Sequence, residues 1–166
     1  LYDRAAVDLP VAQELALAIA RRESEFDPTV ISGAGARGLM QVMPGTAREV
    51  ASELGLEYDL GRLTSDPDYN LKLGAQYLAN LIARFGSSSV LVAAGYNAGP
   101  SRPERWMTEQ GDPRTPTVDI VDWVELIQYR ETRNYVMRVA EALPIYAARL
   151  GRGGGPVKLT DLLKGQ

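Results

Sequence analysis

One carboxylate stands out because of its place in an apolar pattern. Val11, Leu15 and Ile19 recur at the spacing of a single helix face, and the next position on that face is Glu23. Glu25 lies on another face, since two residues correspond to a rotation of roughly 200°. A carboxylate on an apolar face must be satisfied, neutralised or functional, because burying it charged and unpaired is costly. Glu23 is therefore the first candidate for chemistry.

The composition removes most other catalytic machinery. The 166 residues include no cysteine and no histidine. This excludes disulfides, thiol nucleophiles, Ser-His-Asp triads and histidine-ligated metals. No acidic cluster has the spacing of a calcium-binding loop, so we expect no metal and no cofactor. The remaining chemistry must use carboxylates, hydroxyls, amides, lysine and arginine.

Size and charge narrow the class of protein further. The chain is 45% hydrophobic, and its length suits one domain with a substantial core. A net charge of −3 argues against nucleic acid as a partner. No apolar run approaches the roughly 20 residues that span a bilayer. The chain begins at Leu1 without a signal peptide, and we interpret it as a fragment or a processed chain.

Hydrophobic periodicity predicts a predominantly α-helical fold with at most a small short-stranded element. The predicted helices cover about residues 11–26, 46–54, 65–85, 90–96 and 132–150, with a short amphipathic piece at 105–107 and weak helical character at 159–163. Thr46 and Glu49 have the spacing of a capping box. Short strands are expected only around residues 29–42. We expect residues 1–150 to form one domain and residues 151–166 a glycine-rich linker and C-terminal tail.

A glycine-rich loop follows the first predicted helix. Gly33, Gly35 and Gly38 match the G-x-G-x-x-G pattern of dinucleotide-binding proteins. That pattern has meaning between a strand and a helix of a βαβ unit, and here only a three-residue extended piece precedes it. We therefore interpret the loop as a turn that allows close backbone approach.

Four short motifs follow one another in an order that is typical of one family. They are Glu23-Ser24-Glu25-Phe26-Asp27-Pro28, Ser32-Gly33-Ala34-Gly35-Ala36, Gly38-Leu39-Met40-Gln41-Val42-Met43-Pro44 and Tyr96-Asn97-Ala98-Gly99-Pro100. Together with the later segments 124–127 and 131–136, they resemble the catalytic domain of the soluble lytic transglycosylases. The resemblance covers about residues 8 to 150 and implies a lysozyme-like fold.

The resemblance also implies a reaction, cleavage of the β-1,4 bond between N-acetylmuramic acid and N-acetylglucosamine in peptidoglycan. No water is added, because the muramoyl C6 hydroxyl attacks C1 and leaves a 1,6-anhydro product. A glycosidase ordinarily needs a second carboxylate, whereas in this family the substrate's 2-acetamido group assists. Glu23 is then expected to act first as general acid and afterwards as base. The structural alternative is a Glu23 that caps or salt-bridges within the core.

Sugars are bound by polar side chains and apolar surfaces in a groove. The residues that the resemblance assigns to substrate binding are Ser32, Gln41, Met43, Tyr96, Asn97 and Glu125. All of these except Gln41 also have a structural interpretation: Ser32 as a turn residue, Met43 and Tyr96 as packing, Asn97 as a helix terminator and Glu125 as the partner of an arginine. The family commonly has Glu-Ser-Ile-Pro where this chain has Glu125-Leu126-Ile127-Gln128, so the aim of Glu125 is open.

The function expected from the sequence is that of a peptidoglycan lytic transglycosylase acting on glycan strands. Two alternatives remain: a hydrolase of the same bond, as in the goose-type lysozymes, and a non-catalytic peptidoglycan-binding domain. Because peptidoglycan lies outside the cytoplasmic membrane, we expect the site of action to be the periplasm or cell envelope. The soluble members of the family carry a helical region before the catalytic domain, and we expect one in the full-length protein.

Overall fold

The computed structural model describes residues 10–152 and 159–165. Over these residues the secondary structure is almost entirely α-helical, which confirms the predicted fold class. In chain order the helices are α1 (Gln13–Ser24), α2 (Pro44–Glu53), α3 (Arg62–Ser65), α4 (Pro67–Phe85), α5 (Ser89–Ala98), α6 (Ser101–Gln110), α7 (Ile120–Glu125), α8 (Arg130–Arg149) and α9 (Leu159–Lys164). The short extended element predicted around residues 29–42 is present as two antiparallel bridges, Ile31 with Arg37 and Arg37 with Val42.

The chain divides into two compact units, Leu1–Asn80 and Leu81–Gln166, and the division falls within α4. The expected division into a domain of residues 1–150 and a tail of residues 151–166 stays a prediction. The glycine-rich part of that tail, residues 153–158, lies outside the described residues. Among the described helices, none has the length and apolar character needed to cross a bilayer.

The core of the first unit is built around α1. Every residue from Leu15 to Ala20 is buried, because this run of leucine, isoleucine and alanine has no polar face to turn toward solvent. The sequence predicted one buried stripe along this helix, and the structure buries its whole middle section. Apolar side chains of the following elements complete the core: Leu39, Met40, Val42, Ala47, Val50, Ala51, Leu63, Tyr69, Leu71, Leu73, Ala75 and Leu78.

The end of α1 differs from the prediction. The helix stops at Ser24 rather than at residue 26, because Glu25 and Phe26 adopt left-handed backbone conformations with φ of 53° and 69°. The Glu25 N–H group still donates to the Arg21 carbonyl at 3.0 Å, which closes the last turn. Glu23 is therefore the last but one residue of the helix.

The start of α2 also differs from the prediction. The helix begins at Pro44 with Met43 at its N-cap, so the predicted capping box of Thr46 and Glu49 is wrong. Proline suits the first helical position because its missing N–H group would have no partner within the helix there. The four-residue helix α3 was not predicted at all, since four residues are too few to show a period.

In the second unit, α5 is the central helix and is buried from Ser89 to Gly95. It packs against α8, whose buried residues recur at helical spacing. Trp106 of α6 and Trp123 of α7 meet edge to face, with ring centroids 6.3 Å apart. The Trp123 indole Nε1 donates to the Gly111 carbonyl at 3.1 Å, so the buried ring has its polar group satisfied.

The weak helical character predicted at residues 159–163 is present as α9, which packs against α5 and α7. The Ser88 hydroxyl donates to the Leu163 carbonyl at 3.0 Å. Lys164 Nζ donates to the carbonyl oxygens of Thr115 and Val118 at 2.9 and 3.0 Å. These contacts tie α9 to the second unit and hold the surface segment between α6 and α7.

Substitution of Gly38 tests the close packing described for the first unit. Its φ is +74°, and an added Cβ would lie 1.9 Å from the Leu63 carbonyl oxygen. We predict that Gly38→Ala lowers the free energy of unfolding by about 2 to 4 kcal/mol, from left-handed strain and overpacking. Chemical denaturation measures the change. Gly33→Ala is the matched control, because its added Cβ meets nothing within 4 Å. Equal stability of the two variants would contradict the packing described here.

Candidate active site

Glu23 is a half-buried residue at the end of the buried helix α1. Its neighbour Ser24 is buried, and the Ser24 hydroxyl donates to the Leu39 carbonyl at 2.8 Å, with a second contact to the Ala20 carbonyl at 3.2 Å. The bond to Leu39 joins the last turn of α1 to the segment that contains Gln41. The structure thereby fixes the residue next to the candidate acid to that segment.

The chain turns sharply immediately after Glu23. Glu25 and Phe26 are consecutive non-glycine residues in the left-handed region, which costs of order 1–3 kcal/mol for each residue. The Asp27 N–H group donates to the Ser24 carbonyl at 3.0 Å and supports the turn. Such strained conformations are often found at functional sites, because the surrounding structure must hold them in place.

Asp27 is the second carboxylate after Glu23 along the chain and follows Glu25 by two residues. One of its oxygens accepts hydrogen bonds from the Thr29 hydroxyl at 2.7 Å and from the Thr29 N–H group at 2.8 Å. These bonds, the hydroxyl first, favour the ionised form and lower the pKa of Asp27 below its ordinary value. Asp27 is therefore ionised near neutral pH and is unsuited to donate a proton.

Ser32 and Gln41 lie in the bridged segment of residues 30–42. The Ser32 hydroxyl accepts from the Ala36 N–H group at 3.0 Å, which is the bond of a turn residue. Gln41 has a left-handed backbone, with φ of 48°. Its amide Nε2 donates to the carbonyl oxygens of Val30 and Gly38, each at 2.9 Å. The side chain of Gln41 thus fastens the segment, and its amide oxygen is the atom that could accept a hydrogen bond from a ligand.

The two methionines of this segment have different environments. Met40 is completely buried in the core of the first unit, whereas Met43 is 44% exposed at the N-cap of α2. The sequence left open for Met43 whether it packs in the core or contacts a ligand. The exposure of Met43 agrees with a contact role, and the burial of Met40 assigns it to the core.

Tyr96 and Asn97 lie in the last turn of α5, in the second unit, and both are half-buried. The buried Thr132 hydroxyl of α8 donates to Asn97 Oδ1 at 2.8 Å, which fixes the orientation of the amide. Asn97 is helical, and the chain leaves the helix at Gly99, the C-cap. Its position near the helix end agrees with the structural interpretation, and Thr132 is a partner that the sequence did not reveal.

Glu125 is the last residue of α7, and it is exposed. The Asp119 side chain caps this helix by accepting from the N–H groups of Val121 and Asp122 at 2.8 and 3.1 Å. Arg133 donates to the backbone carbonyl of Glu125 at 2.9 Å. The expected arginine partner therefore exists but binds the backbone, so the position of Glu125 is fixed through its main chain.

Asn70 is a buried polar residue of the first unit that the sequence analysis missed. It lies on α4 and hydrogen-bonds to backbone groups of the segment that contains Gln41. Counting along the helix in steps of four, as for Glu23, would have identified Asn70, because Asn70, Leu78 and Ile82 lie at helical spacing on one face. An amide on an apolar face needs buried partners, as a carboxylate does.

The acidic residues do not form a metal centre in the part of the chain that the structure describes. Within residues 10–152 and 159–165, no three side chains of a kind that binds metal ions come together closely enough to hold one.

Comparison with known proteins identifies the family. The family model of the transglycosylase SLT domain matches residues 1–117 of this chain. The soluble lytic murein transglycosylase of Escherichia coli K12 is 37% identical over 140 residues, which are 84% of this chain and 21% of that protein. The chain thus spans about a fifth of the length of this soluble relative.

Two solved structures share the fold. The 70 kDa soluble lytic transglycosylase from Escherichia coli matches with a TM-score of 0.81 and 36% identity, over 91% of this chain and 24% of that chain. An inactive mutant of the lytic transglycosylase Slt from Pseudomonas aeruginosa, in which a glutamate is replaced by glutamine, matches with a TM-score of 0.82 and 36% identity, over 92% and 24% of the chains. These matches confirm the predicted lysozyme-like fold.

The contacts of Asp27 yield a prediction for its titration. Because its pKa is lowered in the folded state, the stabilisation from this carboxylate is present above the unfolded pKa of about 3.9 and is lost as the pH falls through the folded pKa. Thr29→Val removes the hydroxyl donor and should raise the pKa of Asp27 toward its ordinary value. Carboxyl NMR titration measures the shift, with Thr46→Val as the control. An unchanged pKa in Thr29→Val would show that the hydroxyl bond is not the main cause.

Proposed function

Because the chain belongs to the transglycosylase SLT domain family, we propose that it is the catalytic part of a peptidoglycan lytic transglycosylase. The reaction cleaves the β-1,4 bond between N-acetylmuramic acid and N-acetylglucosamine without water and leaves a 1,6-anhydromuramoyl end. The observation that carries the proposal is Glu23, a half-buried carboxylate at the end of a buried helix, next to Ser24, which is hydrogen-bonded to the segment of Gln41. The inactive glutamate-to-glutamine mutant among the related structures supports the use of a glutamate.

In the proposed mechanism Glu23 acts twice. Its protonated carboxyl group first gives a proton to the glycosidic oxygen, and the bond from that oxygen to the muramoyl C1 breaks. The neighbouring 2-acetamido group of the substrate stabilises the charge that develops at C1. The Glu23 carboxylate then takes the proton from the C6 hydroxyl as O6 bonds to C1. The proton that Glu23 lost is thereby returned, and the products together contain the atoms of the substrate.

The neighbouring carboxylates support a mechanism with one acid. Asp27 is held ionised by Thr29 and cannot supply the first proton. Glu25 is exposed and lies beyond the helix in a left-handed conformation. A half-buried position suits a general acid better, because partial desolvation favours the neutral carboxyl group. Glu23 is therefore the acid that we assign.

The remaining candidates are proposed as substrate contacts. In the first unit, Gln41 offers its amide oxygen, Met43 an exposed apolar surface and Ser32 a hydroxyl already engaged in a turn. The amide oxygen of Gln41 suits a sugar hydroxyl or an acetamido N–H group as donor. Tyr96, Asn97 and Glu125 of the second unit are proposed as substrate contacts from the family resemblance alone.

The proposed substrate also implies a location and a larger protein. Peptidoglycan glycan strands are the proposed partner, and the site of action is the periplasm or cell envelope. Related proteins are named as soluble or as membrane-bound lytic murein transglycosylases. We propose, from the family resemblance, that a helical region precedes this catalytic portion in the full-length protein; the matched part is 21% of its soluble relative.

Substitution of the acid tests the mechanism. We predict that Glu23→Gln lowers the rate of peptidoglycan cleavage by about 10²- to 10⁴-fold, because the amide can neither donate nor accept the transferred proton. Glu25→Gln is the matched control, since it makes the same chemical change two residues away on an exposed side chain. Release of soluble muropeptides from purified cell wall measures both rates. Equal activity of Glu23→Gln and the wild type would refute the assignment of the acid.

The products distinguish the proposed reaction from its alternatives. We predict that mass spectrometry of wild-type digests finds 1,6-anhydromuramoyl ends, which contain one water less than the reducing ends that a hydrolase produces. Predominantly reducing ends would identify a hydrolase of the goose-type lysozyme kind. Binding to cell wall without any release of muropeptides would identify a non-catalytic binding domain.

A further inference from the structure

We propose that Asn70 and Ser24 are positioning residues that set the place of Glu23 against the segment carrying Gln41. The proposal rests on the proposed function, because it assigns these residues a part in that reaction. Neither residue is offered as a contact of the substrate. Both are buried, and both act through hydrogen bonds to the backbone of residues 37–40.

Asn70 binds this backbone with both ends of its amide. The Asn70 side chain is completely buried, and its Oδ1 accepts from the Met40 N–H group at 2.7 Å. Its Nδ2 donates to the Arg37 carbonyl and to the Leu63 carbonyl, each at 2.9 Å. One side chain of α4 thus holds two points of the segment and also the short helix α3.

Close packing at Gly38 gives this contact little freedom to move. An added Cβ at Gly38 would lie 1.9 Å from the Leu63 carbonyl oxygen and 2.5 Å from Asn70 Nδ2. The Gly38 N–H group donates to the Val30 carbonyl at 2.8 Å, and its carbonyl accepts from the Gln41 side chain at 2.9 Å. Gly38 is therefore both packed against Asn70 of α4 and hydrogen-bonded to the side chain of Gln41.

Ser24 makes the corresponding contact from α1. Its hydroxyl donates to the Leu39 carbonyl at 2.8 Å, and Leu39 directly precedes the Met40 whose N–H group Asn70 binds. Ser24 is also the residue next to Glu23 in the helix. Two adjacent backbone groups of one segment are thus bonded to two helices, one of which carries the candidate acid.

The arrangement favours a positioning role over simple packing. A buried polar side chain must have all its bonds satisfied, whereas an apolar side chain of similar size would fill the space without that requirement. Buried hydrogen bonds specify one arrangement of the groups that they join. For a general acid this matters, because a misplacement of about 1 Å can lower the rate about 10²-fold.

The test compares kinetic constants for peptidoglycan cleavage at a temperature where each variant is folded. We expect Ser24→Ala and Asn70→Leu to lower kcat by about 10- to 100-fold with KM within about threefold of the wild type. Leu78→Ala is the control, because it removes a fully buried side chain of α4 in the same unit that has no polar group to hydrogen-bond to the segment. Its kcat should stay close to that of the wild type.

The outcomes separate this inference from the proposed function. A wild type that does not cleave peptidoglycan refutes the proposed function and the positioning role with it. An active wild type, with a kcat loss below about tenfold relative to Leu78→Ala, overturns only the role of the residue substituted. If Asn70→Leu does not fold, Asn70→Asp takes its place, because it keeps the acceptor for the Met40 N–H group while losing the amide donor. A loss of kcat below about tenfold in Asn70→Asp, relative to Leu78→Ala, would then overturn the role of Asn70.

Discussion

The hydrogen bond from the Ser24 hydroxyl to the Leu39 carbonyl, 2.8 Å long, is the contact on which the candidate site of the first unit depends. α1 is buried from Leu15 to Ala20, so its last turn brings polar residues out of a core that tolerates none unpaired. The buried hydroxyl of Ser24 finds its acceptor in the neighbouring segment, and Glu23 is carried to a half-buried position beside it. The last turn of α1, which carries Glu23, is therefore fixed to the segment of Gln41 by the requirement that buried polar groups be satisfied.

Much of the fold followed from local patterns in the sequence. The long helices α1, α4 and α8 were predicted because apolar residues recur along them at helical spacing, and Glu23 was found because it interrupts such a pattern. The end of α1 was not predicted, because Glu25 and Phe26 adopt left-handed conformations that neither residue type favours. The predicted start of α2 was wrong because Thr46 and Glu49 have the spacing of a capping box, whereas the helix begins at Pro44.

The supporting contacts of the site could not be predicted in the same way. Asn70 binds backbone groups 30 and 33 residues earlier in the chain, and no local pattern announces such partners. The sequence suggested Gln41 as a ligand contact but gave no sign that its Nε2 fastens two carbonyl groups of its own segment. Sequence patterns show which polar residues lie on apolar faces, whereas the identity of the group that satisfies each of them depends on the tertiary fold.

The central claim is that one carboxylate serves as acid and then as base, with no water molecule entering the product. Digestion of purified peptidoglycan in water enriched in ¹⁸O tests this claim most directly, with mass spectrometry of the newly formed muramoyl ends. The proposed mechanism predicts anhydro ends that contain no ¹⁸O, because the oxygen bonded to C1 comes from the substrate's own C6 hydroxyl. Incorporation of one ¹⁸O atom at each new end would contradict it and would show that water attacks C1 instead.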